Sequence, residues 1–328
     1  MKEQDIRPQE LLKKYIELSA KDSKKYFSDT IKKNVPCVAC GKMNASYQFR
    51  KYGFDYAECN NCGTLYQTPR PPIETFEQFY RDSESSNYWA NIFFPAVAEI
   101  RREKLIKPKV RDLSLLCSSL GLKVDKVIDV GSGYGIFLDE WRKRHENVDM
   151  VAVEPSSLLA DECRKKGLNV VESMAEKVSG YDNYADLVVC FEVLEHVYNP
   201  LDFVNTLKRM ARSNGYVFLS TLCIDGFDLQ VLRDKSTQIS PPHHINFLSI
   251  KGFEVLFERA GLTDVKILTP GILDVNIVQN KIKENPDIIS NNVFLQKIFK
   301  DDKKAIEFQK FLSNNQLSSH AWVMGKKQ

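Results

Sequence analysis

Four cysteines, a glycine-rich turn followed by an acid, and two adjacent histidines are the residues whose types and spacing suit chemistry. Cys37-Val38-Ala39-Cys40-Gly41 and Cys59-Asn60-Asn61-Cys62-Gly63 form two C-x-x-C pairs with 18 residues between them, within the range of a four-thiolate zinc site. With Cys37, Cys40, Cys59 and Cys62 all bound, the metal has no open position, so a structural Zn2+ is expected. A redox pair is the weaker alternative, because it leaves the second pair unexplained. The glycine after each second cysteine suits a tight knuckle that turns backbone N–H groups toward sulfur.

The run Lys126 to Trp141 reads as strand, glycine turn and helix. Val127, Ile128 and Val130 are an apolar β-branched run, and Phe137, Leu138 and Trp141 recur at helical spacing. Gly131, Gly133 and Gly135 fall where strand becomes helix, a place where a ligand can approach bare backbone and unpaired N–H groups. A dinucleotide fingerprint wants a glycine at the position of Ile136, so that reading loses ground. Glu154 closes the following strand, Met150 to Val153, at the spacing of a carboxylate that takes two ribose hydroxyls. The alternatives are a packing role for Gly135 and a solvated strand end for Glu154.

The third group is Ser240-Pro241-Pro242-His243-His244-Ile245-Asn246-Phe247-Leu248-Ser249, a stiff turn directly before a helix. Histidine titrates near neutrality and can take a proton from an acceptor hydroxyl. The bland alternative has one histidine capping the helix begun at Ser249 and the other packing; the catalytic reading favours His244 over His243. His196, at the exit of a strand near 186–190, is a third candidate, although a backbone-satisfied histidine at a helix start is the commoner case.

These residues need a scaffold, and the chain alternates strand and helix in the required way. Strands are expected near 127–130, 150–153, 169–171, 186–190 and 216–220, giving a parallel sheet covered on both faces. Ligands in such sheets bind outside the strand carboxyl ends at the switch point, which gathers the Gly131 loop, Glu154, the Ser173-Met174-Ala175 turn and the Phe191 region around one crevice.

Three ordered stretches, Val127 to Gly135, Glu154, and Asp186-Leu187-Val188-Val189-Cys190-Phe191-Glu192-Val193-Leu194-Glu195-His196-Val197, resemble the class I S-adenosylmethionine-dependent methyltransferases. The resemblance covers roughly residues 110 to 325. It implies an α/β, Rossmann-like seven-stranded sheet, parallel with one antiparallel edge strand. The sixth strand is expected at 263–268 and the seventh at Ala321 to Met324, pairing antiparallel at the sheet edge. It also implies S-adenosylmethionine as cofactor, with Glu154 on the ribose, Met174 and Ala175 flanking the adenine, Phe191 at the same pocket and Asp129 fixing the glycine loop. Residues 222 to 248 would build the acceptor site.

Around this core the expected plan is an N-terminal helix in 1–34, a zinc ribbon in 35–72, a helical linker or lid in 73–112, and the methyltransferase domain in 113–328 with a helical insertion at about 271–317. In the ribbon, Tyr47, Phe49, Phe54 and Tyr56 suggest two strands joined near Gly53. Residues 8–27 read as an amphipathic helix. The aromatic group Tyr88, Trp89, Phe93 and Phe94 serves either as a lid over the cofactor or as packing. Arg101, Arg102, Lys104, Lys107, Lys109 and Arg111 read as a solvent-facing basic helix, with phosphate contact as the sharper alternative.

With 46 basic and 43 acidic residues the net charge is +3, which offers no global polycation to nucleic acid or membrane. The first residues lack a signal-peptide layout, and no apolar run approaches a membrane span; a cytoplasmic location is expected. The leading functional expectation is methyl transfer to a small molecule, a sugar, glycan or nucleotide-linked sugar, at oxygen or carbon. The zinc-binding segment ahead of the core resembles the bacterial sugar C-methyltransferases, which carry a further C-terminal domain. Competing readings are an RNA methyltransferase with the ribbon as nucleic-acid module, which the charge balance disfavours, and a non-catalytic cofactor-binding partner protein.

Overall fold

The computed structural model describes residues 1–328. Eleven strands follow in chain order: β1 Ala45–Lys51, β2 Phe54–Cys59, β3 Leu65–Gln67, β4 Lys126–Val130, β5 Asp149–Val153, β6 Asn169–Val171, β7 Ala185–Phe191, β8 Ala211–Leu222, β9 Asn246–Phe247, β10 Leu262–Leu268 and β11 His320–Lys327. They divide into two sheets, β1-β2-β3-β9 and β10-β11-β8-β7-β4-β5-β6. The chain forms two compact units that interleave in sequence. The first comprises Met1–Phe94, Leu222–Phe253 and Ile267–Trp322, and the second comprises Pro95–Thr221, Glu254–Lys266 and Val323–Gln328. No helix is long and apolar enough to cross a membrane.

The second unit is built on the seven-stranded sheet. β4 lies between β5 and β7 and is parallel to both, with Val130 paired to Val153 on one side and to Cys190 on the other. From β4 the chain moves outward through β5 and β6, then returns to β7 and β8, so the switch point lies between β4 and β7. Burial on both faces explains the unbroken apolar runs: Val127 and Ile128, and Leu187 to Val189, are fully buried. Six strands are parallel and one antiparallel. The expected edge position of the last strand is corrected: β11 inserts between β8 and β10, and β10 takes the edge.

The first unit carries the antiparallel sheet. β1 and β2 are joined by Tyr52-Gly53, both with positive φ (46° and 85°), the two-residue turn whose twist matches a right-twisted hairpin. Two further strands complete this sheet: Tyr66 of β3 pairs with Asn246 of β9, directly after the histidine turn. The expected amphipathic helix forms at Gln9–Phe27, and Phe27 packs against Phe54, Phe76 and Phe79 at 5.2, 5.1 and 5.5 Å between ring centres. Trp89 stacks on Phe93 at 4.3 Å, and both rings meet Tyr15 of that helix. Helices Asp274–Glu284, Val293–Phe299 and Asp302–Asn314 lie between β10 and β11. They share an apolar core in which Phe227 touches both the Ile277–Val278 and the Ala305–Leu312 clusters.

Candidate functional site

Because β4, β5, β6 and β7 are neighbours and parallel, the sheet gathers four segments at their carboxyl ends: the Gly131–Gly135 loop, Glu154, the turn with Met174 and Ala175, and the stretch from Phe191 to His196. The loop is held from the neighbouring strand, since the N–H groups of Gly131 and Ser132 donate to the Val153 carbonyl at 2.8 and 3.2 Å. Glu154 completes it. One carboxylate oxygen accepts from Gly133 N at 2.8 Å and the other from Ser156 N at 3.0 Å. Burial raises the Glu154 pKa against these two bonds. A carboxylate has about four lone-pair positions, so acceptor capacity for hydroxyls remains.

Each loop glycine has a left-handed backbone, but the reasons differ. A Cβ on Gly131 (φ 74°) would lie 2.7 Å from Val193 Cγ2, and one on Gly135 would strike Leu168 and Cys163; a Cβ on Gly133 meets nothing within 4 Å. Gly131 and Gly135 therefore serve close packing, and the open space lies over Gly133. That open cradle beside a buried carboxylate fits the ribose end of a nucleoside ligand.

Asp129 departs from its expected role. It is 1% exposed, and neither carboxylate oxygen has a hydrogen-bond partner, so it does not fix the glycine loop; Val153 and Glu154 do. Desolvation, aided by the Glu154 charge, pushes its pKa up to about 8. Glu195, also buried, accepts from Thr221 Oγ1 at 2.7 Å and is likewise raised to about 8 by burial and by the Glu192 charge. Phe191 packs on Phe137 at 4.5 Å. Ala175 is buried, whereas Met174 is half exposed and free to cover a ligand. His196 lies in a short 3-10 turn, its N–H donating to Val193 O.

The basic helix is corrected in part: Lys104, Lys107 and Arg111 are exposed as expected, but Arg102 and Lys109 are not solvated. Arg102 pairs with Asp139 and Glu140 at 2.5 Å. Lys109 is buried, donates to Ser220 Oγ at 2.9 Å, stands 3.6 Å from Glu192 and lies over the Phe191 ring. Desolvation lowers its pKa, opposed by Glu192. A signal for this was present: Lys109 shares a stripe with Leu113 and Cys117 at intervals of four, and both are buried. Glu192, beside it, adopts a positive φ of 54°, the kind of backbone strain that clusters at functional sites.

In the first unit the four cysteine sulfurs lie within 4.8 Å of one another, with Cys37–Cys62 and Cys40–Cys59 at 3.5 Å. Four thiolates about 2.3 Å from a tetrahedral zinc stand about 3.8 Å apart, so the cluster fits the metal. Backbone N–H groups of Ala39 and Cys40 act to lower the Cys37 thiol pKa, and those of Asn61 and Cys62 the Cys59 thiol pKa, against the burial that raises both.

The two loop histidines have different surroundings. The His243 ring is buried among Tyr15, Phe79 and Tyr80, with Nε2 3.2 Å from Ser85 Oγ. The His244 ring is half buried, with Nδ1 2.6 Å from the Gln238 carbonyl, and its own carbonyl accepts from Tyr56 Oη at 2.6 Å. Neither caps the next helix: Ser249 Oγ accepts from Gly252 N at 2.8 Å.

A family model described as a methyltransferase domain matches residues 97–267, just over half of the chain. The tRNA U34 carboxymethyltransferase of Photobacterium profundum is 28% identical over 195 residues, covering 55% of this chain and 56% of that protein. A ubiquinone biosynthesis O-methyltransferase of Aliivibrio fischeri is 37% identical over 109 residues, covering 31% and 46%. The chain thus spans about half the length of the curated relatives it matches. A SAM-dependent methyltransferase structure from Archaeoglobus fulgidus superposes with a TM-score of 0.50 at 20% identity, covering 72% of this chain and 100% of the other, a likeness of fold.

Proposed function

This chain belongs to the methyltransferase-domain family, and from that premise we propose that it transfers a methyl group from S-adenosylmethionine to a small-molecule acceptor of the sugar or glycan class. The observation that carries the reading is the glycine loop closed by Glu154 at the switch point, with open space over Gly133.

When bound, the cofactor supplies an electrophilic methyl group on a sulfonium centre. Glu154 offers its remaining lone pairs to the ribose hydroxyls, Met174 and Ala175 flank the adenine, and Phe191 gives the pocket an apolar wall. A cationic ligand nearby favours the ionised forms of Asp129 and Glu195, whose protons are otherwise retained by burial. Positioning supplies most of the rate, and a base adds roughly 10² to 10⁴ fold. His244 is the proposed base: its Nδ1 lies 2.6 Å from the Gln238 backbone carbonyl, which orients the ring, and an imidazole titrates near neutrality, where it can take a proton from an acceptor. His243 is assigned to packing, and His196 is the alternative base. Zn2+ on Cys37, Cys40, Cys59 and Cys62 is structural. The other four cysteines, Cys117, Cys163, Cys190 and Cys223, are buried free thiols, which suits a reducing compartment and supports a cytoplasmic location.

The sugar or glycan assignment draws support from the four-cysteine segment ahead of the core and from a histidine suited to hydroxyl or carbon-acid deprotonation. Incubation with methyl-labelled S-adenosylmethionine and fractionated host metabolites tests it. Label in a carbohydrate fraction is expected; label confined to lipid-quinone precursors would overturn the acceptor class. The tRNA enzyme among the relatives favours a second reading, methylation of RNA, which salt-sensitive RNA binding with label transfer to RNA would establish instead.

A further inference from the structure

Gly133 is the loop residue over which the cradle is open, and packing does not hold it on that side: a Cβ built there meets no atom within 4 Å. Glycine has the widest choice of φ and ψ of any residue. Its left-handed backbone, φ 54°, is therefore set by whatever anchors the two peptide planes that flank it. The first plane carries the Gly133 N–H, which donates to Glu154 Oε2 at 2.8 Å. The second carries the Gly133 carbonyl, and its partner is the Cys163 thiol at 3.2 Å.

The direction of that bond follows from the proton count. A carbonyl only accepts and a thiol has one proton, so Cys163 donates to Gly133. Ser132 Oγ, 3.8 Å from the same sulfur and 3.5 Å from the Val153 carbonyl, is then a donor toward both. The sulfur also stands 2.9 Å from where a Gly135 Cβ would lie, so one side chain borders Ser132, Gly133 and Gly135. Cys163 is 0% exposed, on the face of helix Ser157–Lys165 that it shares with Ala160. Burial pushes its pKa up to about 11; the thiol keeps its proton at neutral pH and is inert as a nucleophile or redox sensor. What remains of its chemistry is the bond it donates. A peptide group is planar and trans, so holding the Gly133 carbonyl toward this helix also aims the Tyr134 N–H away from it.

We propose that Cys163 is a positioning residue for the methyl-donor pocket, its thiol fixing the Gly133 carbonyl while Glu154 fixes the Gly133 amide, so that the cradle has its shape before a ligand arrives. The role rests on the proposed binding of S-adenosylmethionine at this loop and adds to it a second anchor for the loop backbone.

Infrared spectroscopy of the S–H stretch in the full zinc-loaded chain tests the bond. Zinc-bound thiolates carry no S–H, which leaves Cys117, Cys163, Cys190 and Cys223. The Cys163 band is identified by its loss in Cys163→Ala and equally in Cys163→Ser, so either variant suffices should the other not fold. Without ligand the band is expected below the frequency of a thiol that donates no bond, and it is expected to stay there when S-adenosylhomocysteine is added. A band at the free-thiol frequency, or one that drops only with ligand, would overturn the proposal. Calorimetry tests the consequence. Cys163→Ala is expected to weaken S-adenosylhomocysteine binding about threefold, the low end for a neutral hydrogen bond because a thiol is a weak donor. Cys163→Ser keeps a donor on a shorter bond and is expected to recover part of that loss. Wild-type affinity in Cys163→Ala, or an equal loss in both variants, contradicts the role, the sulfur then only filling space. A wild type with no saturable binding fails the cofactor reading instead; the thiol band is read without ligand, so the two failures are distinguishable.

Discussion

Glu154 ties down the amides of Gly133 and Ser156 through its two carboxylate oxygens, and its remaining lone pairs are the proposed hold on the cofactor ribose. Glu154→Ala is therefore expected to weaken S-adenosylhomocysteine binding by about 1.5–3 kcal/mol, the range for hydrogen bonds to a charged group, with zinc content unchanged; calorimetry and metal analysis check this. The loop glycines separate by neighbour. Gly131→Ala drives a Cβ to 2.7 Å from Val193 and is expected to lower Tm well beyond Gly133→Ala, which costs only the left-handed backbone, about 1–2 kcal/mol. Asp129 gives a pH signature. Its folded pKa of about 8 exceeds the unfolded value of about 3.9, so the folded state binds more protons. Stability present at low pH is lost as pH rises through the folded value. Glu195 and Asp228 act with the same sign. Between pH about 6 and 8, Asp129→Asn is expected to flatten the fall of unfolding free energy by about 1 kcal/mol per pH unit in urea titrations. At this scale the sequence located the residues by spacing but not their bonds. Asp129 and Glu154 both end strands of the same sheet, and only packing decides that Glu154 reaches the loop amides while Asp129 is sealed in.

The four-cysteine sheet shows what periodicity reads and what it misses. β1 and β2 are legible because Tyr47, Phe49, Phe54 and Tyr56 flank a turn at Gly53. β9 is two residues long and pairs with β3 from about 180 residues away in sequence, too short for any period and defined by its partner alone. The Lys109 helix failed differently: a run of basic residues reads as solvated, yet one turn of it lies against Glu192 and Ser220. Because the ribbon sheet closes on β9, loss of metal should reach the histidine turn. Chelation, or Cys59→Ser, is expected to abolish zinc binding and lower Tm by several degrees or more. It should also release the His244 amide to faster hydrogen exchange, measured by mass spectrometry.

Across the whole molecule, the order of strands was legible because each βαβ crossover obliges the next strand to lie parallel and nearby. The division into units was not. The chain leaves the first unit at Phe94, returns for Leu222–Phe253 and again for Ile267–Trp322. Those returns are held by non-local bonds, such as Cys223 N to Ser319 O and Ile224 N to Leu248 O, that no local composition marks. The family match at 97–267 covers the part with the clearest alternation and takes in the histidine turn as well; that turn and the insertion, where acceptor choice is proposed to reside, are the irregular parts. Methyl-donor binding is the claim on which the catalytic assignments depend. Calorimetric titration of the zinc-loaded full chain with S-adenosylhomocysteine tests it most directly. Saturable binding at a single site, weakened in Glu154→Ala, is the expected result; no saturable binding in the wild type would contradict it.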